Sequence, residues 1–224
     1  MTTPSREQQE LAAFRAEKDT FMGRSPHSPL STEQRQSFHG LSYYPYNPAL
    51  RLVYPPPRDL PPDTVVMDTS TGEQRTYRRA ERIRFEVNGQ TAELTIFQGE
   101  GGEFFLPLRD ATSGRDTYGA GRYLEPSLLP NGQVLVDFNY LYNPYCAYND
   151  RWSCPLPPAE NWLTVPVEAG EEKATTPDRL ARFTAQAWRT ARSRCSGRPP
   201  GRAARRYGRH QRPLTYCGHA RLTH

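Results

Sequence analysis

Arg82-Ile-Arg-Phe-Glu-Val-Asn-Gly-Gln-Thr-Ala-Glu-Leu-Thr-Ile-Phe97 is the most regularly patterned segment of this 224-residue chain. Polar and apolar side chains alternate on both sides of Asn88-Gly89, which predicts two strands joined by a two-residue turn. In the register that this turn imposes, Phe85 faces Ala92, Ile83 faces Leu94, and Arg84 faces Glu93. A one-residue slip would destroy these matches. The segment therefore predicts an antiparallel hairpin with one apolar face.

The same kind of pattern predicts the rest of the fold. Further strands are expected at residues 50–54, 65–68, 74–80, 103–108, 134–139 and 163–168. Two capping boxes, Ser5 with Gln8 and Ser31 with Gln34, predict N-terminal helices, the second of which ends before Gly40. We therefore expect an α+β, mostly β domain: an antiparallel sheet or partly closed barrel with one or two N-terminal helices.

The charge of the chain is unevenly distributed. The net charge is +5, but residues 174–224 contain twelve arginines, no lysine and one acid, Asp178, so the first 173 residues carry −6. The arginine-rich segment has too few apolar residues to fold, which predicts a disordered C-terminal tail after a domain at 1–173. Such a tail suits a nucleic-acid or membrane-surface contact. Its lack of lysine equally suits translation out of frame, and we leave both open.

Nothing in the sequence indicates a membrane protein or an exported one. The chain has no run of eighteen apolar residues, and its N-terminus lacks the apolar segment of a signal peptide. A soluble, cytoplasmic protein without a membrane partner is the resulting expectation. The folded part is acidic, so no specific nucleic-acid partner is expected for it, and the oligomeric state is not predicted.

A series of short motifs runs along the chain. They are Lys18-Asp19-Thr-Phe21, Ser28-Pro29-Leu30, Gly40-Leu41-Ser-Tyr43-Tyr44-Pro45, Asp110-Ala-Thr-Ser-Gly114, Thr117–Leu124, Asp137–Tyr148, Cys154–Asn161 and Ala169-Gly170-Glu171. Together they resemble one bacterial-type family, which also has archaeal members: the domain of unknown function 1684. They run in the family's order over residues 11–173, and the tail 174–224 does not match. The family has no established function, so the resemblance implies a domain boundary and no activity.

Two groups of residues are candidates for a ligand site. In Gly119-Ala-Gly121-Arg122-Tyr123, small residues would let backbone amides approach an anion that Arg122 could bind. A second group, Asp137, Asn139, Asn143 and Asn161, could orient a polar ligand, with Asp137 as a candidate general base. The alternatives are structural: an arginine paired with a carboxylate of the domain, and side chains that satisfy the backbone of an irregular loop.

The cysteines and tyrosines are less informative. Cys146 and Cys154 do not have the spacing of a zinc site, so no metal is expected, and they suit a loop anchored to the core, reduced or bridged. Tyrosines are abundant, with 13 in the chain, and could line a pocket or cover the ends of a sheet. No P-loop, dinucleotide fingerprint or catalytic triad motif is present, so no cofactor is predicted.

Two functions follow from this sequence. The first is an uncharacterised small-molecule-binding or enzymatic domain that recognises an anionic or hydroxylated compound. Its pocket would be lined by loops 117–123 and 137–161. The second is a non-catalytic structural or interaction module in which the same loops only cover the sheet. Whether the protein is an enzyme is left open.

Overall fold

The protein's computed structural model describes residues 3–57 and 63–173. Its helices are α1 (Arg6–Arg24) and α2 (Thr32–Gln36), and its strands are β1 (Arg51–Tyr54), β2 (Thr64–Asp68), β3 (Gln74–Val87), β4 (Gln90–Gln98), β5 (Phe104–Leu108), β6 (Arg122–Leu124), β7 (Ser127–Leu128) and β8 (Val134–Asp137). The tail 174–224 and its predicted disorder lie outside the described residues, so the domain boundary after Lys173 stays a prediction.

The strands form two antiparallel sheets within the described ranges. Five strands pair in the order β2-β3-β4-β5-β6, and three pair in the order β1-β8-β7. The antiparallel strands curl into a half-barrel. The α+β, mostly β fold expected from the sequence is confirmed. The described helices include none that is long and apolar enough to cross a membrane.

The predicted hairpin is present as β3 and β4. Val87 faces Gln90, Phe85 faces Ala92, and Arg84 faces Glu93. Asn88 and Gly89 both have positive φ, at 51° and 72°, as the mirror-image turn requires. The apolar face of the hairpin is buried in the main core together with residues from β5, β6 and β8. Turn chemistry and side-chain pattern therefore set the same register.

Other elements differ from the prediction in detail. Residues 74–80 and 82–87 form one strand, β3, whose pairing shifts at a bulge between Arg79 and Glu81. Residues 163–168 were expected to be a strand and are not one. Leu163 and Val165 bond to the backbone of Arg109 and Ala111, but Pro166 has no N–H with which to continue a ladder.

Both predicted capping boxes are formed, at Ser5 with Gln8 and at Ser31 with Gln34. Helix α1 contacts the segment that follows β8, where Phe14 packs on Tyr140 with 5.0 Å between the ring centres. Helix α2 ends at Gln36, before Gly40 as expected. The position of α1 creates the concave surface described below.

Candidate functional site

Arg122, the residue expected to bind an anion, lies inside the protein. Its side chain is 1% exposed, and its guanidinium donates to the carbonyl oxygens of Val167, Ala169 and Glu171. It also pairs with Asp110, at 3.2 Å from Nη2 to Oδ2. Burial lowers the pKa of Arg122, and the charge of Asp110 opposes that effect. Arg122 thus holds the segment 167–171 against β6 and does not open to solvent.

Asn143 bonds to the segment that contains Glu171 and Glu172. Its N–H donates to Oε2 of Glu171 at 2.8 Å, and its side chain donates to the carbonyl of Glu172. Glu171 is 1% exposed, accepts from the hydroxyl of Tyr148 at 3.0 Å, and forms an ion pair with Lys18 of α1. Residues from three of the quoted motifs therefore meet in one buried polar cluster.

Asn161 and Tyr123 join separate segments of the β structure. The Asn161 side chain accepts from the Thr95 N–H at 2.8 Å and donates to the carbonyls of Thr95 and Pro107. The Tyr123 hydroxyl donates to the carbonyl of Pro155. Both residues are buried, and their polar groups bond to the backbone, so neither points into an open cavity.

Asp137 and Asn139 lie together at the end of β8. The backbone N–H and the side-chain amide of Asn139 both donate to Oδ1 of Asp137, at 3.0 and 2.8 Å. Asn139 also bonds in both directions with the backbone of Asn47. Of the two carboxylate oxygens of Asp137, Oδ1 therefore accepts hydrogen bonds from the described residues. Among the residues that the structure describes, none donates a hydrogen bond to its Oδ2, and the ion-pair partner of that atom is Arg51, with Nε at 3.6 Å.

Asp137 opens onto a groove of about 330 Å³ under α1, which we call the α1 groove. Helix α1 contributes one wall, with Glu7, Glu10 and Phe14. The strands and the segment after β8 contribute the floor and the other wall, with Arg51, Leu124, Glu125, Ser127, Leu135, Asp137, Tyr140 and Tyr142. The groove has the volume of a small-ligand site and combines aromatic rings with charged groups.

The electrostatics of the α1 groove are set by burial as well as charge. Burial raises the pKa of Asp137, against the hydrogen bonds from Asn139 and the charges of Arg51 and Arg15. Burial also raises the pKa of Tyr142, whose hydroxyl donates to Glu125 at 2.6 Å. Asp137 is therefore a carboxylate that the fold makes harder to ionise, at the bottom of a groove that is otherwise acidic.

A second depression, of about 450 Å³, lies on another face of α1. The charged side chain in its lining is Arg15, and this residue donates to the carbonyls of Tyr44 and Asn139. Because Nη1 and Nη2 bond to backbone carbonyls, the guanidinium lies over the Tyr43 ring at 4.4 Å, and the unbonded Nε is buried, Arg15 has little to offer a ligand. The α1 groove is for that reason the better candidate site.

Cys146 and Cys154 are free thiols buried in an aromatic cluster. The Cys146 N–H donates to Sγ of Cys154 at 3.3 Å. The hydrogen bond between the two thiols raises the pKa of Cys146 and lowers that of Cys154 to about 7. Within the described residues, no three His, Cys, Asp or Glu side chains are grouped so that they could hold a metal ion.

The structure thus brings together only part of the predicted site. Asp137 and Asn139 are in contact, whereas Arg122, Tyr123, Asn143 and Asn161 each bond elsewhere in the fold. Sequence reasoning missed Glu7, Glu10 and Glu125, which line the α1 groove, and Lys18, which pairs with Glu171. A signal was available for Lys18, because it stands within the otherwise apolar stripe of α1.

A solved structure supports the fold. The chain is similar to the uncharacterized protein from gene locus rrnAC0354 of Haloarcula marismortui, determined by NMR in solution. The two share 35% sequence identity with a TM-score of 0.57, over 76% of this chain and 96% of the other. No curated protein matches the chain. The family described as "Protein of unknown function (DUF1684)" matches residues 36–172. With that match over more than half of its length, the chain belongs to the DUF1684 family.

Proposed function

We propose that this domain binds a small molecule in the α1 groove, with Asp137 as its central polar contact. The main observation is that Asp137 lines the groove and is only 6% exposed, while its Oδ2 accepts no hydrogen bond from the described residues and has the Arg51 Nε at 3.6 Å. A buried carboxylate that is not fully bonded costs stability, and such groups are retained where they contact a ligand. Its raised pKa is also the direction that a general base requires.

The alternative, a structural or interaction module, has an observation in its favour. Arg122, Tyr123 and Asn161 direct their polar groups to backbone atoms within the domain. Those residues account for the stability of the fold and leave no contact for a ligand. They do not account for the α1 groove, which is why binding at Asp137 is the function we propose.

Filling the groove tests this proposal. Ser127 lines the α1 groove and Leu128, its exposed neighbour in β7, does not. We expect a thermal-shift screen of the full chain against amines, carboxylates and sugars to give a compound that raises Tm. At a hundredfold excess over Kd, the rise should be roughly 5–10 °C. Ser127→Trp should abolish it, and the matched control Leu128→Trp should keep it. No stabilising compound, or equal loss in both variants, would contradict the proposal.

Asp137→Asn should keep or increase the stability of the protein at pH 7. Because the folded-state pKa of Asp137 is raised, its ionised form is disfavoured in the fold. The resulting cost is absent below the unfolded-state pKa and is fully present once pH exceeds the raised folded-state pKa. Asparagine keeps the acceptor for Asn139 and removes that cost. Urea unfolding at pH 7 measures the effect.

The matched control is Asp110→Asn. Both carboxyl oxygens of Asp110 accept hydrogen bonds, from Thr112 and from the Val167 N–H at 2.7 Å, and Oδ2 also pairs with Arg122. We expect this variant to be destabilised. If the two asparagine variants lost stability equally, Asp137 would be an ordinary structural carboxylate.

A further inference from the structure

We propose that the α1 groove recognises a small organic cation of the ammonium type. This inference deepens the proposed function and rests on it. It replaces the anion that the sequence suggested, because Arg122 bonds to Asp110 and to three carbonyl oxygens inside the domain. The charges, the burial of Asp137 and the aromatic walls each support it.

The charge of the groove lining has the sign that a cation needs. Four carboxylates line it, Glu7, Glu10, Glu125 and Asp137, against one cation, Arg51. Arg6 pairs with Glu10 at 2.8 Å, but both side chains are exposed, so water weakens that pairing. The folded part of the chain is itself acidic, with a net charge of −6 over residues 1–173. The local field therefore favours positive ligands and disfavours anions.

Asp137 supplies an independent argument, because it is buried and unevenly bonded. Its Oδ1 accepts two hydrogen bonds from Asn139, whereas Oδ2 accepts none from the described residues and has the Arg51 Nε at 3.6 Å. Burial raises the energy of an ion whose hydrogen bonds are incomplete. A cation placed near Oδ2 would lower that energy through its charge.

The walls of the groove suit an organic cation. Phe14 and Tyr140 line the groove with 5.0 Å between their ring centres, whereas Tyr142 already has the Lys18 Nζ at 4.6 Å from its ring centre. Phe14 and Tyr140 are therefore the rings available to a ligand cation. Aromatic faces attract ammonium groups, and most strongly where water is excluded. The described residues offer no group of three metal ligands, so the carboxylates are too dispersed to coordinate an ion. A volume of about 330 Å³ leaves room for several non-hydrogen atoms beside the charge.

Three probes of one shape separate charge from shape. Choline carries a trimethylammonium group. Its uncharged isostere is 3,3-dimethylbutan-1-ol, the alcohol in which a carbon atom replaces the nitrogen. The anionic probe is 3,3-dimethylbutanoate (tert-butylacetate), which has a tert-butyl group of the same bulk. Each is titrated into the full chain and followed by the amide NMR signals of Phe14, Ser127 and Leu135. We expect choline to shift these signals with an affinity at least about tenfold above that of the alcohol, and tert-butylacetate to bind more weakly still. Added salt should narrow the difference.

Two variants assign the charge preference to the groove. Asp137→Asn should lower the affinity for choline about tenfold and leave that for the alcohol unchanged. Glu125→Gln provides a second test, with a smaller loss in the same direction, because Glu125 is exposed and glutamine keeps an acceptor for the Tyr142 hydroxyl. Equal affinities for choline and the alcohol would overturn the proposed preference for a cation, while the groove would remain a binding site. Preference for tert-butylacetate, or no response to any probe, would also overturn the cation, and the Ser127→Trp screen then decides separately whether the groove binds anything.

Discussion

Arg122→Met is expected to lower the free energy of unfolding by about 3–5 kcal/mol, the cost of breaking a buried ion pair. Arg122 is 1% exposed, and its removal leaves Asp110 without its cation. It also leaves the carbonyls of Ala169 and Glu171 without a donor, while Val167 keeps the Ala169 N–H at 2.9 Å. Chemical denaturation of the full chain measures the effect. Arg122→Lys should also destabilise, because an ammonium cannot serve four acceptors in the plane of a guanidinium.

The control for Arg122 is Arg84→Met. Arg84 also pairs with a carboxylate, Glu93, but on the exposed face of the hairpin. An exposed pair contributes little, so this variant should unfold almost as the wild type does. A ligand-binding role for Arg122 predicts the opposite pattern, in which Arg122→Met keeps its stability and loses a ligand. Equal unfolding of Arg122→Met and Arg84→Met would refute the structural role.

Lys18→Met should cost about 3–5 kcal/mol because it leaves the buried charge of Glu171 without its cation. Glu171→Gln should cost less, because the Lys18 side chain is 16% exposed and water partly solvates its charge. Glu171 is 1% exposed, and Lys18 lies over the Tyr142 ring with Nζ at 4.6 Å from its centre. The double variant should lose less than the sum of the two single losses, because the same interaction is removed in all three proteins. Urea unfolding of the four proteins of this cycle gives the coupling energy.

The pair Arg6 and Glu10 is the matched control for that cycle. It is an ion pair on the same helix, but it is exposed, so Arg6→Met and Glu10→Gln should show no measurable coupling. If the losses of unfolding free energy for the Lys18 and Glu171 variants were strictly additive, their ion pair would not stabilise the contact between α1 and the segment around Glu171.

The buried contacts of Arg122 explain a motif whose role could not be interpreted from the sequence. Ala169-Gly170-Glu171 is the last of the motifs that carry the family resemblance. In the structure, Ala169 and Glu171 accept from Arg122, and Gly170 has φ of +72° at a place where a Cβ would collide with the backbone of Leu141. The hydrogen bonds to Arg122 therefore fix the backbone of Ala169 and Glu171, and the closeness of Leu141 requires glycine at position 170.

Local interactions made part of this protein predictable from its sequence. The β3-β4 hairpin, its register and the starts of both helices depend on residues a few positions apart, so propensity, turn chemistry and capping were sufficient. The absence of a strand at 163–168 was not predictable from alternation alone, because it depends on which backbone groups lie nearby. The loop prediction at 137–161 named Asp137 and Asn139 but could not separate them from Asn161, since all are polar residues in irregular segments.

The sequence by itself determined the β-rich fold class, the hairpin register and the family, because these are encoded in neighbouring residues and in ordered motifs. Only the tertiary structure decided that Arg122 is buried against Asp110, that Lys18 pairs with Glu171, and that α1 covers Asp137 to form an acidic groove. The physical reason is that burial and charge pairing depend on segments far apart in the chain, and they decide whether a polar side chain stabilises the fold or remains available to a ligand.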